Sequence, residues 1–164
     1  MTSQEDYEYS NINDILGELM AKDEQAQLKI RNTFKIVYVT GCLGFIGAYV
    51  TRKCLERGWL VRGVDKGTYA ADFSLLKEFE KHDNFYFEQK DIKDLKHLYD
   101  CDYVINVAAE SHVGNSIIQS DSFMDSNVVG VKNLLDLIRD KSINVSERPI
   151  FFHFSTDEVY GDIE

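Results

Sequence analysis

From residue 34 onward, short apolar runs rich in β-branched residues alternate with stretches of helical spacing. Residues 35–40 (Lys-Ile-Val-Tyr-Val-Thr) predict a first strand, and residues 45–57 predict a helix that Gly58 ends. Residues 59–65 predict a second strand. Phe73, Leu76 and Phe79 recur at helical spacing within 72–81, and 84–88 reads as a short third strand. Residues 102–108 form an apolar strand expected to be buried on both faces. A long helix is expected over 121–140, with Val128, Val131, Leu134, Leu135 and Ile138 on its apolar side. Residues 150–155 give the last strand. Strands separated by helices pair through crossovers, which lay helices over both faces of the sheet. The expected fold is therefore α/β, a doubly wound parallel sheet.

Residues 1–33 break this rhythm. Seven acids stand there against three bases. Ile12, Ile15, Leu16, Leu19 and Met20 share one helical face, with Asn11 or Asn13 available as a cap and Gly17 weakening the helix. The organisation expected is an acidic extension over 1–33, partly helical or disordered, followed by one domain over 34–164. No internal repeat and no low-complexity tract occurs.

Charge and cysteine content narrow the partners. A net charge of −10 and a pI near 4.8 disfavour nucleic acid or an anionic membrane. An acidic chain still holds phosphates where backbone N–H groups converge. Cys42, Cys54 and Cys101 are scattered and form no CxxC pair, so neither a disulfide framework nor a metal site is expected. The N-terminus carries no apolar leader, and no run approaches the roughly 18 residues of a membrane span. A cytoplasmic location is the expectation.

The first chemical motif joins the first strand to the first helix. Gly41, Gly44 and Gly47 are spaced as a dinucleotide-binding loop. The first glycine permits a tight turn, the second lets backbone approach a pyrophosphate, and the third lets helix and strand pack closely. The phosphates would then lie at the helix N-terminus. Asp65, at the end of the second strand, is placed to accept hydrogen bonds from the adenosine ribose and to repel a 2′-phosphate. The cofactor expected is NAD rather than NADP, although the neighbouring Lys66 works against that preference.

Two more strand ends carry candidates. Asp91-Ile92 would lie near the adenine edge, or be a structural strand-end acid. The small residues of Ala108-Ala109-Glu110-Ser111-His112-Val113 would let a flat cofactor approach a strand's C-terminal end. His112 reads as a helix-start histidine or as a catalytic one; His82, His97 and His153 show no pairing or metal-ligand spacing. Finally, Ser155-Thr156-Asp157-Glu158-Val159-Tyr160-Gly161 sets two acids side by side after an apolar run. A redox cofactor beside paired acids suits elimination of water, with one acid protonated and the other ionised.

Together these segments, with Asp65-Lys66-x-Thr68-Tyr69-Ala70 and Asn127-x-x-Gly130, resemble the nucleotide-sugar 4,6-dehydratases. Those are extended short-chain dehydrogenase/reductases, and the dTDP-glucose 4,6-dehydratases are the nearest type. The resemblance covers about residues 34–164, and the acid-pair run is its most specific part. It implies a Rossmann-type NAD-binding domain acting on a nucleoside-diphosphate hexose, in a homodimer when full length. Position by position, it implies that Phe45 and Ile46 lie on the pyrophosphate loop. Asp65, Lys66 and Thr68 would surround the adenosine ribose, and Asp91 and Ile92 the adenine. Ala108, Ala109, Glu110, Ser111 and Ser126 would line the nicotinamide side. Ser111 and Thr156 would touch the hexose, with Asp157 as general acid at C6 and Glu158 as base at C5.

The sequence also departs from that family. Gly114-Asn115 and Ala71-Asp72 differ from its usual residues, and Ser126 stands where threonine is usual. The family's Tyr-x-x-x-Lys pair has two matches here, Tyr49…Lys53 and Tyr86…Lys90, and neither is expected to serve. The first sits on the helix after the glycine loop, the second on a strand. The expectation is an N-terminal part of such an enzyme, inactive alone. A stand-alone, non-catalytic NAD-binding module, or part of a nucleotide-sugar epimerase or decarboxylase, are the alternatives.

Overall fold

A computed structural model of the chain describes residues 34–112, 114, 117, 120–141, 146 and 148–161. The acidic extension 1–33 and its expected helix lie outside the described residues. The fold below concerns the unit Lys35–Glu164.

Five strands form one parallel sheet in the order β3-β2-β1-β4-β5. They are β1 (Ile36–Thr40), β2 (Leu60–Asp65), β3 (Phe85–Gln89), β4 (Tyr103–Asn106) and β5 (Ile150–His153). The order reverses between β1 and β4, which pair directly, with Thr40 opposite Asn106. The chain leaves those two strands in opposite directions, and a crevice opens between their C-terminal ends. Open α/β sheets bind ligands at such a switch point.

Alternation along the strands builds two cores. Val37 and Val39 face one side with Val61, Phe79, Phe85 and helix α1 (Phe45–Glu56). Tyr38, Val64 and Val104 face the other, with Ile92, Leu95, Leu134 and Ile138. The expected double-sided parallel sheet is therefore the observed one. Its β4 is less covered than its sequence suggested, and β5 is largely exposed. Val104 and Asn106 are buried, Tyr103 and Ile105 only half so, and Ile150 and Phe152 stay exposed.

Two helices differ from expectation. Residues 72–81 hold a 3-10 turn (Phe73–Leu75), capped by Asp72 accepting from Ser74 N, and then one helical turn, α2 (Leu76–Phe79). The expected helix over 121–140 is three pieces: α3 (Ser120–Met124), a π-helical turn (Asp125–Gly130) and α4 (Val131–Lys141). A π turn inserts one residue into the helical repeat, shifting its phase by about 100°. Leu134 and Ile138 consequently reach the core, while Val128 is 50% exposed. Leu135, beside Leu134 on the helix, lies at the edge of the buried stripe and is 46% exposed. Gly130 lets the turn ride over Ile92, since a Cβ there would meet the Ile92 side chain at 2.6 Å. Asn133 then ties α4 down by donating to the carbonyls of Ile92 and Leu95, at 2.8 and 2.9 Å.

Candidate dinucleotide site

The glycine loop forms because β1 ends beside β2. Gly41 N donates to Val64 O at 2.7 Å, and Gly44 N donates back to Gly41 O at 3.1 Å. Gly41 has φ +68°, and a Cβ on it would lie 2.8 Å from Ala108 N. At Gly47 a Cβ would lie 1.9 Å from Gly41 O, so α1 packs on the loop through bare backbone. At Gly44 the same test meets only Gly41 O, at 3.4 Å, which leaves room above the loop. Gly44 caps α1 without a side-chain hydrogen bond, and the first turn holds no acid. The positive end of a 12-residue helix thus carries no anion of its own. This is the shape and charge a pyrophosphate requires.

Asp65, buried at the end of β2, holds the loop as well as facing the cavity. Its Oδ2 accepts from Leu43 N at 3.0 Å and its Oδ1 from Gly67 N at 2.8 Å. A carboxylate oxygen accepts more than one hydrogen bond, so capacity for ribose hydroxyls remains. Asp91 caps the short turn Ile92–Asp94 by accepting from Lys93 N at 3.1 Å. Ile92 is buried under α4 yet reaches the cavity wall. Thr68 is half-buried, with its hydroxyl 3.4 Å from Ala70 N.

On the far wall the chain leaves β4 as an extended loop. Asn127, on the π turn, clamps it: Glu110 N donates to Asn127 Oδ1 and Asn127 Nδ2 to Glu110 O, both at 2.8 Å. Lys66 crosses from β2, donating to Ser126 Oγ at 2.7 Å with Glu110 Oε1 3.0 Å away. Ser111 and Thr156 are exposed on the rim, and His112 lies exposed on the same loop.

Every residue assigned above to the cofactor, from Gly41 to Ser126, lines one cavity of about 430 Å³, and so does Thr156. Asp157 and Glu158 follow at once on a 3-10 turn, Asp157–Tyr160; their side chains lie outside the described set. Tyr49 and Lys53 face solvent on α1 and do not line the cavity. Tyr86 stacks against Arg62 instead.

Sequence reasoning missed several features. Lys90 lines the cavity, its N–H donating to Asp65 O at 2.9 Å; its place beside Asp91 was the available signal. His153, read as unpaired, accepts from Asn106 Nδ2 at 2.9 Å, and Thr40 Oγ1 donates to Asn106 Oδ1 at 2.5 Å. That chain of side chains joins the C-terminal residues of β1, β4 and β5. Asn106→Ala is expected to cost about 1–3 kcal/mol, because the buried Thr40 hydroxyl loses its acceptor. Urea denaturation measures it, and an unshifted midpoint would contradict the role.

The cysteines are free. Burial pushes Cys54 up to about 11 and Cys101 up to about 12, and raises Cys42 as well. Such thiols are poor nucleophiles and metal ligands. Among the described residues, no cluster of three or more His, Cys, Asp or Glu could hold a metal, and no helix is long and apolar enough to cross a membrane.

Known proteins share this fold. A dTDP-glucose 4,6-dehydratase of Haemophilus influenzae is 38% identical over 138 residues, covering 77% of this chain and 41% of that protein. The crystal structure of DesIV, a dTDP-glucose 4,6-dehydratase from Streptomyces venezuelae with NAD bound, superposes with a TM-score of 0.69 at 32% identity. It covers 79% of this chain and 42% of that one. A UDP-glucose-4-epimerase from Stenotrophomonas maltophila, also with NAD, follows at 0.66 and 27% identity, covering 79% and 39%. The chain thus spans about 40% of the length of the curated relatives it matches. The family model described as GDP-mannose 4,6 dehydratase matches residues 38–164, most of the chain, and the chain belongs to that family.

Proposed function

We propose that this chain is the NAD-binding part of a nucleoside-diphosphate-hexose 4,6-dehydratase, which turns an NDP-hexose into its 4-keto-6-deoxy form and water. One observation carries the reading. A glycine loop without its own anion, the Asp65 carboxylate and the strand end Phe154-Ser155-Thr156 converge on a single cavity, and the acids Asp157 and Glu158 come next in the chain.

Bound there, NAD supplies reversible two-electron oxidation at the hexose C4. The amides at the start of α1 hold the pyrophosphate, and Asp65 takes the adenosine ribose hydroxyls on its remaining lone pairs. Asp91 and Ile92 flank the adenine. Ala108 and Ala109 leave room for a flat ring, and Ser111 and Thr156 reach towards the hexose. Asp157 gives a proton to the departing C6 hydroxyl, and Glu158 takes the C5 proton, which an adjacent C4 ketone acidifies. The adjacent acids favour elimination over the epimerase and decarboxylase readings, and the lower identity of the epimerase structure agrees. The nucleoside-diphosphate hexose substrate and the homodimer rest on the family resemblance, and the cytoplasmic location on the cysteine and leader reading of the sequence.

Calorimetric titration with NAD and NADP tests the cofactor reading. NAD is expected to bind more tightly, and tighter NADP binding would overturn it. Asp65→Ala should narrow the difference, and should also loosen the loop, because Leu43 N and Gly67 N lose their acceptor.

A further inference from the structure

Asp65 and Lys66 are adjacent and give opposite instructions. A carboxylate at the end of β2 repels a 2′-phosphate, while a cation beside it is what a 2′-phosphate uses for binding. In the structure the Lys66 ammonium is already engaged. It donates to Ser126 Oγ at 2.7 Å and stands 3.0 Å from Glu110 Oε1. Both partners are on the opposite wall, across the cavity from the groups that hold Asp65.

We propose that Glu110, seconded by Ser126, is a specificity-determining residue that keeps this site selective for NAD by holding the Lys66 ammonium away from the ribose 2′ position. The inference rests on the reading of the cavity as an NAD site. Three observations support it. The Glu110 side chain is only 11% exposed, against 30% for Lys66, so the pair is shielded from the water that weakens surface ion pairs. Ser126 is buried on the π turn, and its hydroxyl cannot follow a departing lysine. The Glu110 backbone is fixed by both of its hydrogen bonds to Asn127. Moving the ammonium to a phosphate would therefore strand a nearly buried carboxylate, which is strongly unfavourable. Lys66 is thus part of the far wall rather than a free cation at the ribose.

Titration calorimetry of the chain with NAD and with NADP, at one fixed ionic strength, tests this. Glu110→Gln keeps the shape and removes the charge. The affinity ratio of NADP to NAD should rise about tenfold. Adding Lys66→Met to that variant should abolish the gain, because the freed ammonium is its source. Ser126→Ala, a smaller change, should move the ratio in the same direction by less, and it serves if Glu110→Gln does not fold. An unchanged ratio with NAD binding intact, or a gain that survives Lys66→Met, overturns the proposal while the NAD reading stands. Failure of the unaltered chain to bind either dinucleotide overturns the NAD reading, and this inference with it.

Discussion

Gly47→Ala is expected to abolish dinucleotide binding and to destabilise the chain by about 3 kcal/mol, the upper end for overpacking a rigid site. The added methyl would lie 1.9 Å from Gly41 O and 3.1 Å from Cys42 Cα. Both are backbone atoms, and neither has a rotamer by which to yield. Relief requires α1 to move off the sheet, which carries the first-turn amides away from the phosphate position. At this chain length the loss should lower Tm by about 6–12 °C. Gly58→Ala is the control. Gly58 also has a positive φ, +73°, but nothing lies within 4 Å of its Cβ position. That change should cost about 1–2 kcal/mol through backbone strain alone and leave cofactor binding in place. Thermal melts and NAD titrations of both variants separate the effects. Wild-type NAD affinity in Gly47→Ala would show that the loop is not the phosphate site.

The largest kinetic effects belong to the acid pair. The experiment grafts residues 34–164 in place of the matching part of the Haemophilus influenzae relative. In an active graft, Asp157→Asn keeps the shape but has no proton to deliver at neutral pH. Loss of water from C6 should slow by about 10²–10⁴-fold, while oxidation at C4, followed as NADH absorbance in a single turnover, persists. Glu158→Gln removes the base, so deuterium exchange at C5 should fall by a similar factor. The two substitutions thus stop the reaction at different points. Near-normal elimination in both would make the pair structural and would end the dehydratase reading, leaving a dinucleotide-binding fold.

The sheet was legible because β1, β2 and β4 carry buried β-branched residues and β3 and β5 are short aromatic runs, all set between turn-forming and polar residues. The glycine loop fell where a strand meets a helix, whereas the strand order and its switch point were not read, because the succession of elements does not say which strands pair. The cavity walls were legible for a related reason: most residues that line the cavity sit at strand ends, and strand ends are visible in the pattern. Side-chain pairings across long stretches of chain were not. Asn106 meets His153 across 47 residues, and Lys66 meets Ser126 across 60; neither leaves a local signal. The π turn was hidden for a different reason. Val128, Val131, Leu134, Leu135 and Ile138 fit one helical face as well as two faces out of phase, so their spacing does not reveal an inserted residue. Asp65 was visible as a strand-end acid, but its hydrogen bonds from Leu43 N and Gly67 N depend on the loop's course in space.

The π turn has a consequence for anyone redesigning this protein. Ser126 and Asn127 both lie on the widened turn Asp125–Gly130, where one engages Lys66 and the other the Glu110 backbone. Deleting a single residue from Asp125–Gly130 would restore ordinary helical hydrogen bonding. Because α4 is anchored by Leu134 and Ile138 in the core, the resulting rotation would fall on the N-terminal side and turn both polar residues off the wall. A stabilisation campaign scored on helix regularity would therefore select, at this one place, for sequences that fold well and have lost the cofactor.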